Sequence, residues 1–211
     1  MIKLFLSKSF YALDILHDRV LLPFMSKIWL IEFQLRGGVT VGSCMFLGRP
    51  LIKFHPLSKV LLHNNSTFIS NSRRCSSGNL YSPCRLQTHS RSSSIIIEEN
   101  VGMNGTSIVS RSKTIFVGKN TMIAPNCVIM DSPHHRMWPP EDRLYYPDSG
   151  EDNDVIIEEN CWIGTGVVIL PGSHIGRNSV IGARSVVKGS IPQNCLAVGS
   201  PAKVIRILDS N

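Results

Sequence analysis

At 211 residues, with 43% hydrophobic and 18% charged residues, the chain is long enough for one domain with a real core, and disorder is not its default state. Its net charge of +7 is lopsided: residues 1–95 carry 12 Lys/Arg against 3 Asp/Glu, whereas residues 96–211 carry 10 against 12. A basic half can meet nucleic acid or an anionic membrane surface, but no aromatic residues interleave with Arg73, Arg74, Arg85 and Arg91 and no reader motif is present, so nucleic acid is not an expected partner.

Residues 1–38 form the first segment. Their apolar residues are broken by Asp14, His17, Asp18, Arg19, Pro23, Lys27 and Glu32, which argues against a secretory signal and against a membrane span. Leu13, Leu16 and Val20, then Ile28, Ile31 and Leu35, fall at helical offsets. Two short amphipathic helices are expected, divided by Pro23 and stopped by Gly37-Gly38. They serve either as a cap on the domain or as an interfacial pair resting on anionic lipid, so the expected location is cytoplasmic, with peripheral association at the inner leaflet as the second reading. The six cysteines show no CxxC and no zinc-type spacing, and Cys127, Cys161 and Cys195 lie in apolar runs, as buried reduced thiols do.

Residues 39–96 are expected to form irregular first coils, and 97–207 a regular repeat domain. The repeat is clearest in "VIIEENCWIGTGVVILPGSHIGRNSVIGARSVVKGS", where Ile157, Ile163, Ile169, Ile175, Ile181 and Val187 recur every six residues. A helix would turn residues six apart through about 600°, off any one face, and a strand period of two leaves the phase of Gly164, Gly176 and Gly182 unexplained. Hexapeptide units are the signature of a parallel β-helix, three to a triangular coil. Val117, Ile123 and Ile129 continue the phase backwards, as do Ile97, Met103 and Val109, with Val41, Leu47, Leu62 and Phe68 marking ragged first coils. About five coils are expected, with a Ser/Arg-rich loop over 70–94.

The phase stops at Ile129 and resumes at Val155, so residues 130–154 are expected to leave the coil as a loop. They open with "MDSPHH", which brings two adjacent imidazoles to the loop's neck.

The segments "IMDSPHH", "NCWIGTGVVILPG" and "GARSVVKGSIPQNCLAVGSPAKVIRI", in this order, resemble the hexapeptide-repeat acyltransferases, most closely the maltose/galactoside acetyltransferase branch and its relatives that O-acetylate bacterial surface polysaccharides. The resemblance covers about residues 97–207. It implies an all-β, left-handed parallel β-helix, acetyl-CoA as cosubstrate, no metal, and a homotrimer with sites between its prisms. It puts the general base at His135, with His134 as rival and Asp131 entering the loop; Pro133 stands where relatives have an acidic residue. It further implies an oxyanion donor in the N–H of Thr165, next to Gly164, and Trp162 lining the site, a residue that a purely packing role would also explain. Coenzyme A contacts are implied at Ala183, Lys188, Ser200, Pro201, Lys203 and Arg206, of which Lys203 and Arg206 also read as solvated surface.

The chemistry this implies is direct acetyl transfer, in which an imidazole takes the acceptor's proton and backbone N–H groups face the oxyanion. No N-terminal nucleotide-sugar domain is seen, so O-acetylation of a saccharide is favoured over N-acetylation of an amino sugar. A γ-carbonic-anhydrase-like zinc site is disfavoured because adjacent histidines rarely ligate one ion, and a non-catalytic binding β-helix remains the bland alternative.

Overall fold

The protein's structure is a computed structural model and describes residues 2–141, 143 and 151–208; residues 142 and 144–150 of the expected loop lie outside the described residues. Its three sheets form the flanks of a left-handed parallel β-helix. One flank stacks Val39–Thr40, Lys59–Leu62, Ser94–Ile97, Thr114–Val117, Val155–Ile157, His174–Ile175 and Ser190–Ile191. The second stacks Met45–Leu47, Thr67–Ile69, Gly102–Asn104, Met122–Ile123, Trp162–Ile163, Val180–Ile181 and Cys195–Gly199, and closes with Ala202–Ile207. The third stacks Leu51–Lys53, Arg85–Thr88, Ser107–Ser110, Val128–Met130, Val168–Ile169 and Val186–Val187. The described residues therefore wind six complete coils and begin a seventh, more than the five expected, because insertions loop out at corners and leave the strands stacked. The Ser/Arg-rich segment is one such insertion, yet within it Arg85–Thr88 is a strand with Leu86 fully buried.

The hexad aliphatics from Ile157 to Val187 all point inward and are fully buried, stacked on Ile123 and Ile129 of the coil before. Three expected inward residues differ from the structure. Ile108 takes the core place assigned to Val109 and pairs in register with Ile129, since the corner at Gly105 shortens that unit by one residue. Val41 is exposed beyond the end of its strand, and Phe46, not Leu47, is the residue in register with Phe68, Leu47 pairing instead with Ile69.

Small polar residues two before the aliphatics are buried but satisfied. Ser173 Oγ donates to Val187 O and Ser179 Oγ to Pro192 O, tying each coil to the next. Along the corner between the first and second flanks, Asn100, Asn120, Asn160, Asn178 and Asn194 all adopt positive φ, between 55° and 61°. Their side chains form a ladder of Nδ2–H···Oδ1 bonds of 2.8–3.1 Å. Asn tolerates the left-handed conformation that this corner demands, and its amide both donates and accepts, so one residue type meets both requirements.

The open N-terminal end is sealed by helix α2 (Leu22–Leu35), which follows helix α1 (Ile2–Leu16) through a π-helical turn at His17–Leu21. Pro23 does not divide the helices as expected. It sits in the first turn of α2, where a missing N–H costs little, and the break falls earlier, with Leu22 N–H donating to His17 O. Phe33 packs with Phe46 and Phe54, Phe46 stacks on Phe68, and Ser26 Oγ accepts the N–H of Phe46 at 2.9 Å. Gly37 turns the chain at φ 97°, and a Cβ on Gly38 would collide with the Phe33 ring.

Candidate active site

The loop carrying both histidines leaves the prism between the third and first flanks. Its neck is closed by Asn153 N–H donating to Asp131 O at 2.9 Å. The Asp131 carboxylate is fully buried and accepts four bonds: from the N–H groups of Arg111 (2.7 Å), Ser112 (3.0 Å) and Lys113 (2.7 Å) and from Ser110 Oγ (3.1 Å). All its contacts serve the turn of the preceding coil, so Asp131 builds the neck and faces no open space. Asp152 braces the same turn through Arg111 Nη1 at 3.0 Å and Ser112 Oγ at 2.6 Å.

His134 is half-buried in a left-handed conformation (φ 64°), its N–H donating to Ser132 Oγ, and its ring lies 5.7 Å from that of His89. The pKa of His89 is held below the usual histidine value, first by burial and then by the neighbouring His134. Gln87, which accepts from Arg85 through Oε1, turns its amide nitrogen toward His89 Nε2 at 2.9 Å. His135 is exposed, and its Nδ1 lies 2.8 Å from Arg143 O. A carbonyl only accepts, so Nδ1 carries the proton, and in the neutral ring Nε2 keeps its lone pair. This is the tautomer a general base requires.

Trp162, Gly164, Thr165 and Ala183 meet at the other end of a coil, on the second flank and the corner after it. Trp162 is 53% exposed in an outward row with Met122, Val180 and Leu196. A Cβ on Gly164 would stand 2.6 Å from Ala183 N and 2.7 Å from Ile181 O, so coil stacking by itself accounts for this glycine. Thr165 Oγ1 donates to Pro125 O, and its backbone N–H has no partner among the described residues. It borders a cavity of about 170 Å³ with Tyr81, Asn126, Gly166 and Arg184. Reading the sequence missed Tyr81, Asn126 and Arg184. The Ser/Arg-rich insertion docks here, Tyr81 N–H donating to Asn126 Oδ1 and Asn126 Nδ2 to Asn79 O. The phase of Asn126, Gly166 and Arg184, all with positive φ at this corner, was the available signal.

Ser200 and Pro201 form the turn of the terminal hairpin, with Lys203 opposite Val198, Arg206 opposite Leu196, and both cations exposed. Lys188 is exposed at the corner between the third and first flanks, two coils beyond the neck of the histidine loop. Within one chain the histidines and the Trp162–Thr165 turn thus lie on different corners. Among the described residues, no three His, Cys, Asp or Glu side chains converge as metal ligands do.

Residues 154–189 match the family model of the bacterial transferase hexapeptide, six repeats. These residues carry the hexapeptide repeat that the model describes. It is 43% identical over 97 residues to a galactoside O-acetyltransferase of Lactococcus lactis subsp. lactis (strain IL1403), covering 46% of this chain and 45% of that one. It is 34% identical over 118 residues to WbbJ of Escherichia coli (strain K12), named for O-acetyl transfer in lipopolysaccharide biosynthesis, covering 53% of this chain and 60% of that one. The chain thus spans about half the length of the curated relatives it matches. Among solved structures, AntD, an N-acyltransferase from Bacillus cereus in complex with dTDP-4-amino-4,6-dideoxyglucose and coenzyme A, superposes with a TM-score of 0.63 at 19% identity, over 86% of this chain and 90% of that one, a likeness of fold.

Proposed function

We propose that the protein is an acetyl-CoA-dependent O-acetyltransferase acting on a saccharide of a bacterial surface polysaccharide. The observation that carries this reading is the 2.8 Å contact from His135 Nδ1 to Arg143 O, which leaves Nε2 as a base on an exposed loop of a hexapeptide-repeat prism. Nε2 takes the proton of the acceptor hydroxyl as its oxygen attacks the thioester carbon. The N–H of Thr165 faces the developing oxyanion, the C–S bond breaks, and the proton passes to the leaving thiolate of coenzyme A. Holding the two reactants in line is the protein's main contribution, and no acyl-enzyme forms.

His135 and Thr165 stand at different corners of the prism, so one active site takes its base from one subunit and its Trp162–Thr165 turn from the next, in a homotrimer. The apolar outward row of Met122, Trp162, Val180 and Leu196 is the kind of surface that a neighbouring prism covers. Ala183, Lys188, Ser200, Pro201, Lys203 and Arg206 line the path of coenzyme A, with Lys203 and Arg206 near its phosphates. The relatives named for galactoside and lipopolysaccharide O-acetylation support a sugar hydroxyl as acceptor. Assembly of such a saccharide at the cytoplasmic membrane fits the basic N-terminal half.

The test is acetyl transfer from acetyl-CoA to a panel of sugars, oligosaccharides and nucleotide sugars, with products detected by mass. Ester products that disappear in His135→Ala support the reading. Amide products alone would move the function to amino-sugar N-acetylation, and no product with any acceptor would leave a binding β-helix.

A further inference from the structure

Helix α2 is apolar on two sides. Leu22, Ser26 and Phe33 are buried against the first coil, yet Phe24, Ile28, Ile31 and Leu35 face away from it and are exposed, Leu35 at 84%. The same outward row continues through Val20, Leu16 and Leu13, and the π-helical turn opens a groove of about 450 Å³ among Leu13, Leu16, Val20 and Phe24. A helix that is apolar all round is stable in water only when both faces are covered. No helix of the described residues is long and apolar enough to cross a membrane.

Charge indicates what covers the outer face. Arg19 and Lys27 are exposed on the helices themselves. Arg73 lies 3.7 Å from Asp14 of α1, which brings the basic Ser/Arg-rich insertion, with exposed Arg73 and Arg74, alongside the apolar row. A row of large apolar side chains bordered by cations is the profile of an element lying in the headgroup layer of an anionic bilayer. Spacing argues against a second copy. The row runs 13, 16, 20, 24, 28, 31, 35, and the step from 20 to 24 adds one residue at the π turn to an otherwise alternating three-four repeat. That break interrupts the register a helix-on-helix seam needs, whereas lipid chains impose no register.

We propose that the outward face of α1 and α2 docks the protein on an anionic lipid surface. The proposal deepens the reading of the acceptor as a saccharide assembled at a membrane. Full-length protein is sedimented with phosphatidylcholine vesicles, with and without phosphatidylglycerol, alongside the double variants Leu16→Glu/Phe24→Glu and Arg19→Ala/Lys27→Ala. The expected result is sedimentation with the anionic vesicles that weakens as salt is raised. The expected loss in the glutamate variant is at least about tenfold, with a smaller loss in the alanine variant. Circular dichroism, oligomeric state and acetyl transfer to a soluble acceptor stay unchanged in both. Equal sedimentation of the glutamate variant and wild type, no sedimentation of wild type, or a lower oligomeric state of the glutamate variant overturns the proposal, the last because a second copy then covers the row. Anionic-vesicle binding without acetyl transfer to any acceptor supports the docking face and sinks the proposed chemistry alone.

Discussion

His135 and Thr165 sit on different corners of one prism. The loop of His135 joins the third flank to the first, whereas Thr165 lies between Trp162–Ile163 of the second and Val168–Ile169 of the third. If a single acetyl group meets both, two subunits build each site, and neither His135→Ala nor a variant of the turn such as Trp162→Ala has an intact one. His135→Ala alone is expected to lower kcat by about a hundredfold or more, the usual contribution of a general base. Co-expressed in equal amounts, the two variants are expected to regain about a quarter of wild-type activity, since half the bases and half the turns are intact and they combine at random. Activity of mixed, separately tagged trimers measures this; a mixture no better than its components would assign both residues to one subunit's site.

Asp131 is a candidate site residue on sequence, and the four bonds its carboxylate accepts give it another task. In Asp131→Asn one carboxylate oxygen becomes an NH₂ group, and both oxygens now accept backbone N–H groups, so either amide orientation sets donor against donor. The expected cost is about 2–3 kcal/mol, read by urea unfolding, with the His134–His135 neck loosened and activity falling in parallel. Full stability combined with lost turnover would instead restore Asp131 to the chemistry.

The asparagine ladder allows a sharper separation. Asn160→Ala loses both ladder bonds and also forces an alanine to φ 58°, whereas Asn160→Gly loses the bonds alone. Alanine is expected to be the more destabilising by about 1 kcal/mol, the usual cost of the left-handed conformation to a residue with a Cβ. Equal losses in thermal unfolding would show that the ladder bonds carry the whole effect.

The hexad from Ile157 to Val187 is legible because coil stacking buries the same phase repeatedly, leaving one residue class tolerated there. The phase fails at Val109, Val41 and Leu47 because a corner can shorten or lengthen by a residue without disturbing the strand register, and periodicity does not register such a change. The corner asparagines were also repetitive, but their message is a backbone conformation, and no hydrophobic pattern records it. The bonding of Asp131 was out of reach, since its partners Arg111 to Lys113 are about 20 residues away and meet it only through the winding of the coil.

Burial fixes the reactivity of the thiols. Desolvation pushes Cys127 and Cys161 up to about 11, so at pH 8 these two hold almost no thiolate; it raises Cys84 as well, and all three are buried and offer no approach. Among six free cysteines, Cys75, half-buried in the Ser/Arg-rich insertion, is expected to alkylate first in native protein, with Cys127, Cys161, Cys84 and Cys195 labelled only after denaturation. Peptide mapping after iodoacetamide treatment checks the order, and early labelling of Cys127 would mean that the coil opens at the Thr165 corner.

Glu158 gives the prism an acid-sensitive clasp. Its carboxylate accepts the Arg177 N–H at 2.9 Å and meets His174 Nε2 at 2.7 Å, and these bonds, the backbone one first, hold its pKa below the ordinary glutamate value. A carboxylate depressed in the folded state contributes stability that is fully present above its unfolded pKa, about 4.3, and lost as pH falls through the folded value. Glu158→Gln is therefore expected to be less stable than wild type at neutral pH, with the gap narrowing as pH drops below about 4. Urea midpoints across an acid series read the difference directly. A gap that widens on acidification would reverse the sign and remove the carboxylate from the clasp.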